Sequence, residues 1–151
     1  MIQKNNARTD NAENPLPEKS PLDNRGENGY VKLKVATDLG NFPLSGAKVT
    51  VYSADGGSEP ITTVTTDAMG YAPLLTLPVI YNPEIEGMDP IYYYTDYNLS
   101  VSFNYYYPTA IYNVQVFPNI TSEFEVNMTP VPAIDPYPDR EEQIVIPHIG
   151  P

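Results

Sequence analysis

Tyr97-Asn98-Leu99-Ser100-Val101-Ser102-Phe103-Asn104 alternates apolar and polar side chains without a break. Successive side chains of an extended strand point to opposite faces, so a period of two marks a strand with one dry and one wet face. The same period runs through Val31, Leu33 and Val35 between Lys32 and Lys34, and through Ala47, Val49 and Val51 between Lys48, Thr50 and Tyr52. It returns in Tyr112, Val114 and Val116 against Asn113 and Gln115, and in Phe124, Val126 and Met128 against Glu123, Glu125 and Asn127. Thr62 to Thr66 and Ala72 to Leu77 read as two less regular strands, the second an edge because Pro73 cannot donate to a ladder. Turn chemistry separates the runs at Leu39-Gly40-Asn41, Asp55-Gly56-Gly57, Asp67-Ala68-Met69-Gly70 and Pro118-Asn119. No stretch sustains the apolar stripe of an amphipathic helix. The pattern predicts an all-β, seven-stranded, antiparallel two-sheet sandwich with extended N- and C-terminal tails.

The sandwich is expected to occupy residues 30–130. Residues 1–29 hold Pro15, Pro17 and Pro21, four basic and five acidic side chains, and little that is apolar, which reads as a flexible polar tail. Residues 131–151 are again proline-rich, but contain Gln143-Ile144-Val145-Ile146, a short β-branched run with no partner in its own neighbourhood and therefore a candidate donor strand for another copy. The alternative is that this run folds back on its own sandwich. Between strands, residues 78–96 form a long loop with Glu84, Glu86 and Asp89 and the triplet Tyr92-Tyr93-Tyr94.

The 151 residues carry 8 basic and 19 acidic side chains, a formal charge of −11, with neither Cys nor Trp. Such a chain is repelled by nucleic-acid phosphates and anionic lipid, and no apolar run approaches the ~20 residues that span a bilayer. The first eight residues, Met-Ile-Gln-Lys-Asn-Asn-Ala-Arg, do not lead into the apolar stretch of a secretory signal. A chain of this length buries enough surface to fold without disulfides, so the missing cysteines leave the compartment open.

Pro43-Leu44-Ser45-Gly46-Ala47-Lys48-Val49-Thr50-Val51, followed by Thr65-Thr66-Asp67-Ala68-Met69-Gly70-Tyr71, resembles the carboxypeptidase regulatory-like domain, a transthyretin-like β-sandwich related to the collagen-adhesin B-type repeat. Leu77-Pro78, Tyr97 to Val101, Val114 to Phe117 and Val126 to Pro130 look like the form found in spore- and wall-associated proteins of spore-forming Gram-positive bacteria. The resemblance implies a transthyretin/Ig-like fold and a non-catalytic module that spaces or docks other parts, outside the cell or on a spore surface. Related adhesin repeats often carry a Lys–Asn isopeptide bond with a buried carboxylate. Lys32 or Lys34 and Asn127 lie on the first and last strands as that requires, but Tyr97 to Asn104 supplies no acid.

Residue chemistry favours no enzyme and no cofactor. The one histidine, His148, lies in the tail, and there is no thiol, nucleophile elbow or phosphate-binding glycine loop. One histidine cannot build a zinc site. Glu84, Glu86 and Asp89, with Asp96 close behind, are the candidate calcium ligands, although their spacing is not that of a helix-flanked calcium loop. Glu123 and Glu125 share one face of the last strand, as alternation alone dictates. The sequons at Asn98, Asn119 and Asn127 carry little weight in an Asn- and Thr-rich chain.

Tyrosine is the informative excess, 13 residues, six of them in Tyr92-Tyr93-Tyr94 and Tyr105-Tyr106-Tyr107. Three consecutive rings cannot all enter one core, so some cover loop edges, meet a partner or stack on sugars. With Ile144, Val145 and Ile146 they are the candidate interface. The leading expectation is a self-associating structural surface module, in which copies of the chain or other surface proteins are the partners, built as a filament, appendage or coat. The alternatives are a wall- or glycan-binding accessory module, whose binding would be lost when Tyr93 and Tyr106 become Ala, and a phage virion component.

Residues 30–130 carry a net −7, so contact between copies opposes like charges that salt screens over ~8 Å at physiological ionic strength. Self-association is therefore expected to strengthen with added salt or with acidification toward the pI. Sedimentation at low and high salt checks this. Complexes that dissociate as salt rises would point instead to the acidic C-terminal tail pairing with Lys32, Lys34 and Lys48.

Overall fold

The computed structural model describes residues 27–55, 57–80 and 94–147. Eight strands follow in order: β1 (Asn28–Thr37), β2 (Lys48–Ser53), β3 (Thr62–Thr65), β4 (Leu75–Pro78), β5 (Thr95–Ser102), β6 (Thr109–Val116), β7 (Thr121–Met128) and β8 (Glu142–Val145). They form a three-stranded sheet, β4-β1-β7, and a five-stranded sheet, β3-β2-β5-β6-β8. The chain is an all-β sandwich, as its alternation predicts.

Two features differ from the antiparallel seven-stranded expectation. β1 and β7 pair in parallel from Tyr30↔Thr121 to Thr37↔Met128, because both strands start at the same pole of the sandwich, where the Tyr30 amide donates to the Ile120 carbonyl at 2.9 Å. The second parallel pair supplies the eighth strand. Gln143, Ile144 and Val145 sit against Ala110, Ile111 and Tyr112 of the chain's own β6. The run that looked unpartnered is thus seated in cis, and the sandwich takes in residues assigned above to the tail.

The core is built from the dry faces: Val31, Leu33 and Val35 of β1, Val49 and Val51 of β2, Leu75 and Leu77 of β4, Tyr97, Leu99 and Val101 of β5, and Val126 and Met128 of β7. β6 departs from strict alternation. Leu99 pairs with Ile111 but Tyr97 with Val114, so Asn98 faces two residues, and Asn113 takes a left-handed φ of 68°. That bulge turns Ile111 and Val114 to the same dry side and moves Tyr112 off the core face assigned to it by alternation. Asn tolerates this backbone, and the Asn98 Oδ1 accepts a hydrogen bond from the displaced Asn113 amide at 3.2 Å.

The Pro43–Val51 and Thr65–Tyr71 motifs meet through Thr66. Its buried hydroxyl donates to the Leu44 carbonyl at 2.6 Å and accepts from the Ala47 amide at 2.9 Å. Asp67 to Gly70 form a turn, but not a hairpin, since β3 and β4 lie in different sheets. The Asp67 carboxylate accepts from the Met69 and Tyr71 amides, and Gly70, at φ 85°, passes so close to β1 that a Cβ there would lie 2.6 Å from the Val35 carbonyl oxygen.

The Tyr97 hydroxyl, reaching from β5, donates to the Pro78 carbonyl at the end of β4, tying the two sheets together. Burial pushes its pKa up to about 12 from 10. Between those values the unfolded chain has released the proton and the folded protein has not. The stability this tyrosine contributes is therefore complete below about pH 10 and falls as pH rises toward 12, by up to about 1.4 kcal/mol per pH unit. Tyr97→Phe is expected to cost about 1–2 kcal/mol at neutral pH, by orphaning the Pro78 carbonyl. The gap between variant and parent should then close from pH 10 to 12, which denaturant titration at each pH checks.

Candidate binding surface at one pole of the sandwich

The β5–β6 connection, residues 103–108, and the segment after β7 meet at the pole where β1 ends. The Tyr107 amide donates to the Thr129 carbonyl, and the Val131 amide to the Tyr105 carbonyl at 2.8 Å. Between these backbones lies an open groove of about 530 Å³, with Phe103, Tyr106 and Pro108 on one side and Val131, Pro132 and Pro138 on the other. Asn104, Asp135 and Asp139 supply its polar atoms. Tyr106 packs its ring against Phe103, centroids 5.6 Å apart, and both lean on the core.

Tyr105 is the outlier. It holds a left-handed φ of 70°, which costs a bulky side chain about 1 kcal/mol, and its ring is 87 % exposed. In the segment that supplies the second wall, Ile134, between the lining residues Ala133 and Asp135, is 92 % exposed, and Tyr137, next to Pro138, is 73 % exposed. Such a set of projecting apolar and aromatic side chains around a preformed concavity is suited to contact with another surface.

Tyr107 corrects its assignment to the interface. It is 3 % exposed, its hydroxyl donates to the Asp135 carboxylate, and the Arg140 guanidinium lies 4.4 Å from its ring centroid. The residue is a clamp that fixes the segment leading into β8. Arg140 also reaches Glu142 at 3.7 Å, and the Glu142 amide donates to the Pro108 carbonyl. Of the other candidates, Val145 stays largely exposed on β8 and Ile144 is 40 % exposed, whereas Ile146 packs on the core of its own chain. Tyr94 lies at the opposite pole, tilted on Phe117 with centroids 5.4 Å apart. Tyr92 and Tyr93 lie outside the described residues, as do Glu84, Glu86 and Asp89 of the calcium set. Asp96 sits half-buried on β5 opposite Gln115. Among the described residues no three His, Cys, Asp or Glu side chains gather as metal ligands.

Outward on the smaller sheet, Lys32 pairs in register with Glu123 and Lys34 with Glu125, and the two ammonium groups lie 5.1 and 5.7 Å from the centroid of Tyr71. Asn127 also faces outward, opposite Ala36, so the lysine and asparagine considered for a cross-link stand in solvent and not in the core. Nor do the three lysines make one basic groove. Lys48 is on β2 of the other sheet, and the acidic segment after β7 runs to β6. What the sequence did not expose were Ile134 and Tyr137, which sit singly among prolines and carry no periodic signal.

No family model matches the sequence, and no curated protein matches it. Solved structures do. The Bacillus anthracis TIE protein superposes with a TM-score of 0.50 at 17% identity, over 69% of this chain and 18% of that one. The minor pilin GBS52 of Streptococcus agalactiae gives 0.48 at 16% identity, over 72% and 47%. The 3-chlorocatechol 1,2-dioxygenase of Rhodococcus opacus 1CP gives 0.47 at 12% identity, over 70% and 61%. This chain spans less than two thirds of each, and what the first similarity shows is a shared fold.

The clamp generates a test. Tyr107→Phe keeps the ring but removes the hydroxyl bond to a carboxylate, a loss of about 1.5–3 kcal/mol. Amide exchange at Glu142 and Ile146, which anchor β8, is expected to accelerate at least tenfold, while exchange at Val35 or Leu99 follows global stability alone.

Proposed function

We propose that this chain is a non-catalytic structural module of a bacterial cell or spore surface that works by associating with copies of itself. The carrying observation is the pole described above, where the exposed Tyr105 borders an aromatic- and proline-lined groove and the segment forming the second wall exposes Ile134 and Tyr137. A tyrosine held in a strained backbone with its ring 87 % exposed among the described residues supports a role in contact. Rigid aromatic side chains lose little entropy on docking and commonly anchor interfaces. The surface location rests on the sequence resemblance.

A second reading has its own support. Asn104, Asp135 and Asp139 place hydrogen-bonding groups beside the Tyr105 and Tyr106 rings, an arrangement that also suits a glycan.

Asn tolerates the left-handed backbone, so Tyr105→Asn removes the ring and leaves the fold within about 0.5 kcal/mol of the parent. Its self-association, read by sedimentation across a concentration series, is expected to weaken by roughly thirtyfold, the loss of one anchor. A parent chain that stays monomeric at the highest concentration overturns the self-association reading. Peptidoglycan or glycan pull-down that Tyr105→Asn abolishes would favour the second.

A further inference from the structure

The groove beside Tyr105 has room for an occupant, and the chain carries a segment whose pattern fits it. Residues 1–26 hold four basic and four acidic side chains, so the formal charge of −11 belongs to residues 27–151. Among them stands Asn14-Pro15-Leu16-Pro17-Glu18-Lys19-Ser20-Pro21-Leu22. Proline fixes φ near the polyproline-II value, and that helix has three residues per turn. In such a helix a period of three would align Leu16, Lys19 and Leu22 on one edge, apolar, cationic and apolar, over about 19 Å.

We propose that this edge of one copy docks in the Tyr105 groove of the next, joining copies head to tail. The proposal rests on the reading that this pole contacts other copies, and names the part of the partner that enters it. Walls of Phe103, Tyr106, Val131, Pro132 and Pro138 are of the aromatic- and proline-rich kind on which polyproline-II segments dock, and Asp135 and Asp139 meet Lys19. The groove is also preformed, since the Tyr107–Asp135 bond, the Arg140–Tyr107 contact and the Val131–Tyr105 backbone bond fix both walls. Preformed walls reduce the ordering cost of binding.

Reach decides between the chain's own groove and a neighbour's. β1 starts at Asn28, where the Asn119 amide donates to the Asn28 carbonyl, and ends at Thr37 beside Met128, at the groove's pole. Its ten residues span about 33 Å. From Asn28 back to Leu22 the chain covers at most about 22 Å, and back to Lys19 at most about 32 Å, even fully extended. The whole Leu16-Lys19-Leu22 edge therefore enters a groove only on another molecule. Tail and groove are different segments, and the chain enters β1 at the pole opposite the groove, so the contact adds copies head to tail instead of closing a two-fold dimer. A neutral segment also approaches an acidic body without the repulsion that two bodies of −11 would meet.

The experiment uses full-length chains. A tail variant carries Leu16→Glu and Leu22→Glu, and a groove variant carries Tyr105→Asn and Pro132→Lys, with thermal unfolding confirming that both keep the parent fold. Each alone is expected to sediment as a monomer at concentrations where the parent associates. Their mixture is expected to give a 1:1 dimer and nothing larger, because one intact tail meets one intact groove. A synthetic peptide of residues 12–24 in excess should break parent assemblies, and the same peptide with both glutamates should need at least a tenfold higher concentration. A tail variant that assembles like the parent, or a mixture that stays monomeric while the parent associates, overturns tail docking and leaves the self-association reading standing. A parent monomeric at every concentration overturns both.

Discussion

β1 is the strand on which the rest of the chain's course depends. It is the longest strand and is flanked on both sides, antiparallel by β4 and parallel by β7. Because every interior position of β1 must pair on two edges and pack on one face, Val31, Leu33 and Val35 are fully buried while Lys32 and Lys34 stay outside. A one-residue slip would invert all five. The turn at Asp67–Gly70 then docks on the same strand, where the Val35 amide donates to the Gly70 carbonyl at 2.8 Å, so the crossover between sheets is fixed by β1 as well. The core filling this frame is mostly valine-sized, with Leu33, Leu77, Leu99 and Met128 the larger fully buried side chains. Small side chains fill a core only when the sheets approach closely, which the Tyr97 hydroxyl helps to fix by reaching from β5 to the Pro78 carbonyl of the other sheet.

Much of this is legible in the sequence because half-buried strands write their period directly. Val31 to Val35, Tyr97 to Val101 and Phe124 to Met128 face as their alternation dictates. The β6 reading fails at one residue for a reason periodicity cannot carry. Tyr112, Val114 and Val116 alternate as cleanly as any run, but the left-handed Asn113 inserts a half-step, and only the partner strand shows whether such an asparagine is used. Parallel pairing of β1 with β7 is likewise a property of topology, not of either strand's composition. At the pole, an aromatic triplet announces that some ring must be exposed, yet Tyr105 and Tyr107 are chemically identical. Their separation depends on Asp135 and Arg140, which lie 28 and 33 positions further along and reach one ring and not the other.

Seating β8 in cis changes where the chain's unspent apolar surface lies. Had Ile144 to Ile146 been free, the natural contact would be a strand edge. With β8 on β6 and Ile146 against the core, the segment that crosses from β7 to β8 runs over the end of the sandwich, where it lines the groove and leaves Ile134 and Tyr137 exposed. The clamp that closes the sheet and the groove thus share one stretch, residues 131–140, which meets residues 103–108 in both.

The sheet edges argue in the same direction. Each sheet has two: β4 and β7 in one, β3 and β8 in the other. β4 is four residues long and bounded by Pro73 and Pro78, and β3 is four residues long, following Glu59 and Pro60. β8, also four residues, opens on Glu142 and is closed by Pro147. β7 is longer but presents Glu123 and Glu125 outward. Short length, proline and charge are the features that discourage one sheet edge from adding to another. Edges so guarded are poorly suited to strand addition, whereas the exposed Tyr105 beside the groove at one pole is suited to contact. Contact through one pole would also keep most carboxylates of an acidic body further from those of a second copy than packing along the sheets would, which is where screening over ~8 Å matters most. Edge geometry and charge therefore both disfavour contact along the sides of the sandwich.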